Sequence, residues 1–154
     1  MRNSIIGEHS IVEFVTLVGT QFKFRVADPQ SFAKQTFVVP INATNGIGVD
    51  LGLGFLPYEE QAVAKGIIVT FRGVRFLVCT AEDLIIHKAI SERAKDWNDI
   101  EGVLARQGNK LDQIYIKFWL EQFGLALEHP GLVARYEAVR KKITDKKREP
   151  RKKK

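Results

Sequence analysis

The chain has 154 residues, 45% apolar and 27% charged, which suits one compact domain with a real core, and no apolar run approaches the roughly 20 residues that span a bilayer. Its net charge of +6 is concentrated at one end: "RKKITDKKREPRKKK", residues 140–154, carries ten Lys/Arg against two Asp/Glu, so the rest is mildly acidic. The single cysteine, Cys79, excludes an internal disulfide and a multi-cysteine metal site and fits a reducing cytoplasm.

The first residues, "MRNSIIGEHS", lack the long apolar stretch and cleavage site of a signal peptide. From Ser10 the apolar residues Ile11, Phe14, Val15 and Val18 fall at helical spacing, and Gly19 stops the helix. "FKFRV", Phe22 to Val26, alternates like a strand. "DPQSFAKQ" opens with Asp28 as a cap and Pro29 at the first helical position, so it predicts a short helix. "FVVPI", Phe37 to Ile41, predicts a strand whose Pro40 argues for an edge or an end.

"NATNGIGVDLGLG" follows. Asn-Gly tolerates the positive φ of a hairpin turn. The strand after it alternates: Ile47, Val49, Leu51 and Leu53 face one way, and Gly48, Asp50 and Gly52 the other. A phosphate-binding loop would run directly into a helix with a Lys and a Ser/Thr after its last glycine. None follows Gly54 closely, and "LPYEEQAVAKG" starts a helix only later. The stretch is therefore a hairpin strand. Either it presents Asp50 over a roomy floor, or its glycines relieve crowding and Asp50 is merely solvated.

"IIVTFRGVRFLVC" predicts a second hairpin turning at Arg72-Gly73, with Cys79 a buried thiol at its end. Helices fill the rest. Thr80 with Asp83 forms a capping box, Asp96 with Asp99 repeats that signature, and Gly108 closes the second of these helices. Leu111, Ile114, Tyr115, Phe118, Trp119 and Leu125 read as a core stripe on the third. Pro130 starts a last helix that dissolves into the basic tail, a segment expected to be disordered and able to make weak, sequence-blind contact with nucleic acid. Lys88 shares the buried-side stripe of Leu84 and Ile85, where a lysine must snorkel, pair with an acid or bind an anion. Asp96 and Asp99 either reach back to it or cap their own helix; the signature favours capping. His87 reads as a surface residue, and His9 and His129 stand alone, which gives no histidine metal site.

"GVDLGLG", then "PYEEQAV", then "TAEDLIIHKAISERAKDWNDIEGVLARQ" resemble, in that order, a bacterial nucleotidyltransferase-like family of the DNA polymerase beta superfamily, related to abortive-infection nucleotidyltransferase toxins. The resemblance covers roughly Phe14 to Leu132. It implies that Asp50 is a catalytic metal ligand, the last of three carboxylates that hold two divalent metals in that superfamily. It implies that Lys88 lies near a triphosphate and that Lys95, Asp96 and Asp99 match the family's Lys-Asp-x-x-Asp nucleotide-binding segment. The sequence departs from the pattern upstream: Asp28 is the only aspartate before Asp50, and no Asp-x-Asp precedes it.

The expected fold is α+β: a small mixed sheet of an N-terminally incomplete nucleotidyltransferase fold over residues 1–139, ending in a helical bundle, then the disordered tail 140–154. The expected function is a truncated or degenerate nucleotidyltransferase-like domain, inactive alone, with an NTP as ligand and Mg²⁺ only if the site is completed. The alternatives are a binding module completed by a partner protein or a second copy at an exposed sheet edge, and a polyanion-binding protein acting through its tail.

Overall fold

The structure, a computed structural model, describes residues 8–54, 56–91 and 93–148. They form helices and two small antiparallel sheets, an α+β arrangement with the helices gathered toward the C-terminus. The expected single mixed sheet is replaced by these two antiparallel ones. The chain divides into two units, Met1–Ala64 and Lys65–Lys154.

The first unit opens with α1 (Glu8–Gly19), followed by β1 (Lys23–Phe24), α2 (Pro29–Thr36), β2 (Val38–Asn42), β3 (Gly48–Gly52) and α3 (Pro57–Ala64). Ile11, Val15 and Val18 recur at helical spacing on α1 and form the buried core with Ala33 of α2, Val39 and Ile41 of β2, and Leu53. Asp28 caps α2 by accepting a hydrogen bond from the Ser31 N–H at 2.9 Å. Phe37 ends α2 in the left-handed conformation, φ 55°, unusual for an aromatic residue. It is held from both sides: its N–H donates to the Ala33 carbonyl and its own carbonyl accepts from the Leu53 N–H.

The sheet order is β1-β2-β3. Pro40 thus lies in the central strand, and the expectation of an edge is corrected. Its carbonyl accepts from the Arg25 N–H, which shows that its backbone polar groups face the β1 side. There β1 is only two residues long, so the missing N–H of proline removes no β2–β3 bond. The Asn45-Gly46 hairpin forms as expected, with Gly46 at φ 83°.

The second unit begins with the hairpin β4 (Ile67–Phe71) and β5 (Val74–Val78), turned by Arg72 and Gly73. Then come α4 (Ala81–Ile90), α5 (Ala94–Gln107), a 3-10 turn over Gly108–Lys110, α6 (Gln113–Ala126) and α7 (Leu132–Arg148). Thr80 caps α4, its hydroxyl accepting from the Asp83 N–H and donating to the Asp83 carboxylate at 2.6 Å. Asp83 is buried and also accepts from the Tyr115 hydroxyl at 2.8 Å, tying α6 to α4.

Three expectations fail here. Of the expected core stripe, Leu111 is buried and Tyr115 and Trp119 are half-buried, but Ile114, Phe118 and Leu125 are exposed; the buried face of α6 is Ile116, Leu120 and Gly124. Gly124 selects that face: a Cβ there would stand 3.0 Å from the His129 carbonyl oxygen, so the chain turning into α7 packs against it. Cys79 is exposed rather than buried, although partial desolvation of the thiol, and then the Asp83 carboxylate, push its pKa up. The basic segment is helical through Arg148, not disordered from residue 140, because Lys142 bonds Glu101 of α5 at 2.7 Å and Arg140 bonds Glu137 at 2.8 Å. Residues 149–154 lie outside the described residues. No helix among the described residues is long and apolar enough to cross a membrane.

Candidate functional site

Strand alternation puts Arg25, Pro40 and Asp50 in line across the face of the first sheet away from the core. Arg25 follows β1 and bonds the Pro40 carbonyl, and Pro40 stands opposite Asp50 in the β2–β3 register. The Arg25 guanidinium crosses this buried proline to pair with the Asp50 carboxylate, and its Nε donates to the Ile41 carbonyl at 3.1 Å. Gly48 leaves room for the crossing: a Cβ there would come within 3.3 Å of the guanidinium carbon, a tight contact. The space beside Asp50 is therefore occupied by Arg25 at Gly48 and open at Gly52. Both earlier readings of the glycine-rich strand are partly met, for the floor is roomy and an arginine fills half of it.

Two other acids of the first unit do different work: Asp28 caps α2, and Glu59 accepts from the Leu56 N–H at 2.8 Å at the start of α3. A Mg²⁺ ion needs several oxygen ligands at about 2.1 Å, and among the described residues no three of His, Cys, Asp and Glu gather closely enough to hold a metal. The residues beside Asp50 do not fit a two-metal centre.

Lys88 belongs to the second unit, and its surroundings are fully built. Its Nζ donates to Asp96 at 2.8 Å and to Asp99 at 2.6 Å. Asp96, only 1% exposed, also accepts from the Ser91 hydroxyl at 2.6 Å and from Arg93 Nε at 2.5 Å. Three donors, the Lys88 ammonium first, hold the Asp96 carboxyl well below the usual carboxylate range, and Asp96, then Asp99, push the Lys88 ammonium up. The capping reading of Asp96 is corrected: Arg93 is the residue before α5, and no side chain caps that helix. A buried carboxylate takes charged donors in preference to a backbone N–H that water can serve.

The structure thus brings Lys88, Asp96 and Asp99 together. Lys95 is exposed in the first turn of α5 and takes no part in the cluster. His87 is exposed, as expected. Sequence reasoning missed Arg25, Ser91 and Arg93. Arg25 had a signal: in "FKFRV" it alternates with Phe24 and Val26, which places it on the polar face with Lys23. Ser91 and Arg93 fall in the break between two helices, where periodicity says nothing. No protein-family model and no curated protein matches the chain, so its residues and their geometry carry any functional reading.

Proposed function

We propose that this chain is a degenerate nucleotidyltransferase-like domain that transfers no nucleotide by itself and serves as a binding module completed by another chain. The observation that carries this reading is the state of Asp50. The one carboxylate at a matching position is ion-paired with Arg25, and among the described residues no three of His, Cys, Asp and Glu gather to hold a metal. A guanidinium in that place neutralises the carboxylate without polarising a phosphate or lowering the pKa of a hydroxyl, the two tasks of metals in phosphoryl transfer. Lys88, the cation that the resemblance places near a triphosphate, is matched by two aspartates. The polyanion reading is less favoured, since Arg140 and Lys142 are each paired with a glutamate.

The test is incorporation of labelled NTP into RNA or protein acceptors with Mg²⁺ or Mn²⁺. The expected result is no transfer and at most weak NTP binding. Robust incorporation that Asp50→Ala abolishes would overturn the proposal.

A further inference from the structure

The β4–β5 hairpin is an unusual surface. Every large apolar residue from Ile67 to Leu77 is exposed, from 37% at Val69 to 63% at Val74. The two strands pack chiefly on each other, and the hairpin is anchored at its base, where Lys65 Nζ sits 3.5 Å from the centre of the Tyr115 ring. A lone two-stranded hairpin is marginal in water, and added strands stabilise it.

The turn decides which backbone groups are free. Arg72 and Gly73 have φ of 50° and 80°, a two-residue turn of the type that matches strand twist. Phe71 and Val74 flank it as a hydrogen-bonded pair, so Val69 with Phe76 and Ile67 with Val78 are also bonded pairs. The N–H and C=O groups of Ile68 and Thr70 then point away from β5 and form the outer edge of β4. That edge carries "IIVTF", with no charge, no proline and no bulge, none of the devices that keep edge strands apart.

We propose that the outer edge of β4 is a homodimer site: two copies pair their β4 strands antiparallel about a two-fold axis at Val69, joining two hairpins into one four-stranded sheet. This register sets Ile68 of one copy opposite Thr70 of the other, where they exchange two backbone hydrogen bonds, and it sets Ile67 opposite Phe71. All five residues pair, and no like charges meet. The outer edge of β5 differs. Its self-pairing about Phe76 would bring the two copies' Arg75 side chains into diagonal contact in a hairpin segment, residues 65–79, that holds three cations and no acid. Association therefore closes at two rather than growing into a fibre. Pairing the edges leaves both faces of the joined sheet open, so the interface rests on the four backbone hydrogen bonds of the two Ile68–Thr70 pairs and on the cross-strand side-chain contacts beside them. The dimer supplies a partner for the binding reading above, but it rests on the hairpin and not on Asp50, so either can fail alone.

The measurement is sedimentation of the full chain over a wide concentration range. A dimer at micromolar concentration is expected. Thr70→Pro removes an N–H that points outward, so the hairpin keeps its internal bonds, and Ile68→Lys places two cations across the axis. Each should weaken the dimer on the order of a hundredfold with an unchanged far-ultraviolet spectrum. In a Cys79→Ser background, Val69→Cys should link to itself under mild oxidation, since the residue faces its own copy, and Phe71→Cys should not. A monomer at all concentrations overturns the proposal. A dimer unaffected by both edge substitutions, or one linked through residue 71 and not 69, overturns it as well.

Discussion

Replacing Asp96 with alanine should lower the melting temperature by on the order of ten degrees. The carboxylate is buried, and three side chains converge on it. Its removal strands the partly buried Lys88 ammonium with one exposed partner and leaves a cavity where two helices meet. Asp99→Ala should cost only a degree or two, because Asp99 is more than half exposed and water replaces it. The pH dependence has a definite sign. A carboxyl held below its unfolded value of 3.8 contributes fully above that pH, and its contribution is lost as pH falls below 3.8 toward its depressed folded value. Thermal melts taken downward from neutral pH should therefore show a steeper acid loss for the wild type than for Asp96→Ala. Equal melting temperatures, or parallel acid limbs, would mean that the cluster forms without stabilising the fold.

Tyr136→Ala should destabilise the second unit by about 3–5 kcal/mol, the range for emptying a large buried aromatic site. Tyr136 is fully buried on α7, and its hydroxyl donates to Gln113 of α6 at 2.8 Å. Tyr136→Phe keeps the ring and loses one hydrogen bond, so about 1 kcal/mol is expected. Urea titrations of the three proteins separate packing from polarity. The alkaline limb supplies a second check. Burial pushes the Tyr136 hydroxyl from 10.0 up to about 12. A phenol whose folded pKa is raised contributes stability below its unfolded value and loses it as pH climbs through that window. The phenylalanine variant should lose less stability there. It retains the slope from Tyr115, whose hydroxyl is also pushed up, by burial first and then by its bond to Asp83. An alkaline limb identical in wild type and Tyr136→Phe would show that Tyr136 is not what titrates.

What the sequence made legible was local. Asp28 and Thr80 cap their helices because a cap needs only a side chain and an N–H three residues on. The Asn45-Gly46 and Arg72-Gly73 turns follow from φ preference alone. Lys88 was legible because a cation on an apolar stripe must find an acid, and Asp96 and Asp99 were close at hand. What stayed hidden depends on partners distant in the chain. The Arg25–Asp50 pair spans 25 positions and needs the register of three strands. Pro40 looked like an edge residue because nothing nearby shows how short β1 is. On α6, apolar residues occur on nearly every side, so periodicity could not choose a face; Gly124 chose it through the His129 carbonyl. The basic run looked disordered because Glu101, its partner in space, lies 41 positions from Lys142.

The Lys88–Asp96 contact also bears on the order of folding. It closes a loop of only eight positions, and short closures sacrifice little chain entropy. The Asp83–Tyr115 bond that fastens α6 must gather a segment four times as long, 32 positions. The corner between α4 and α5 can thus nucleate the second unit as a local event, with α6 docking onto a surface already laid out. Transition-state mapping would register this as high φ-values at Lys88 and Ile100 and low ones at Tyr115 and Tyr136. The same ion cluster that resembles a ligand pocket in the sequence would then act earliest in the protein's life, as the hinge pin around which its helices assemble.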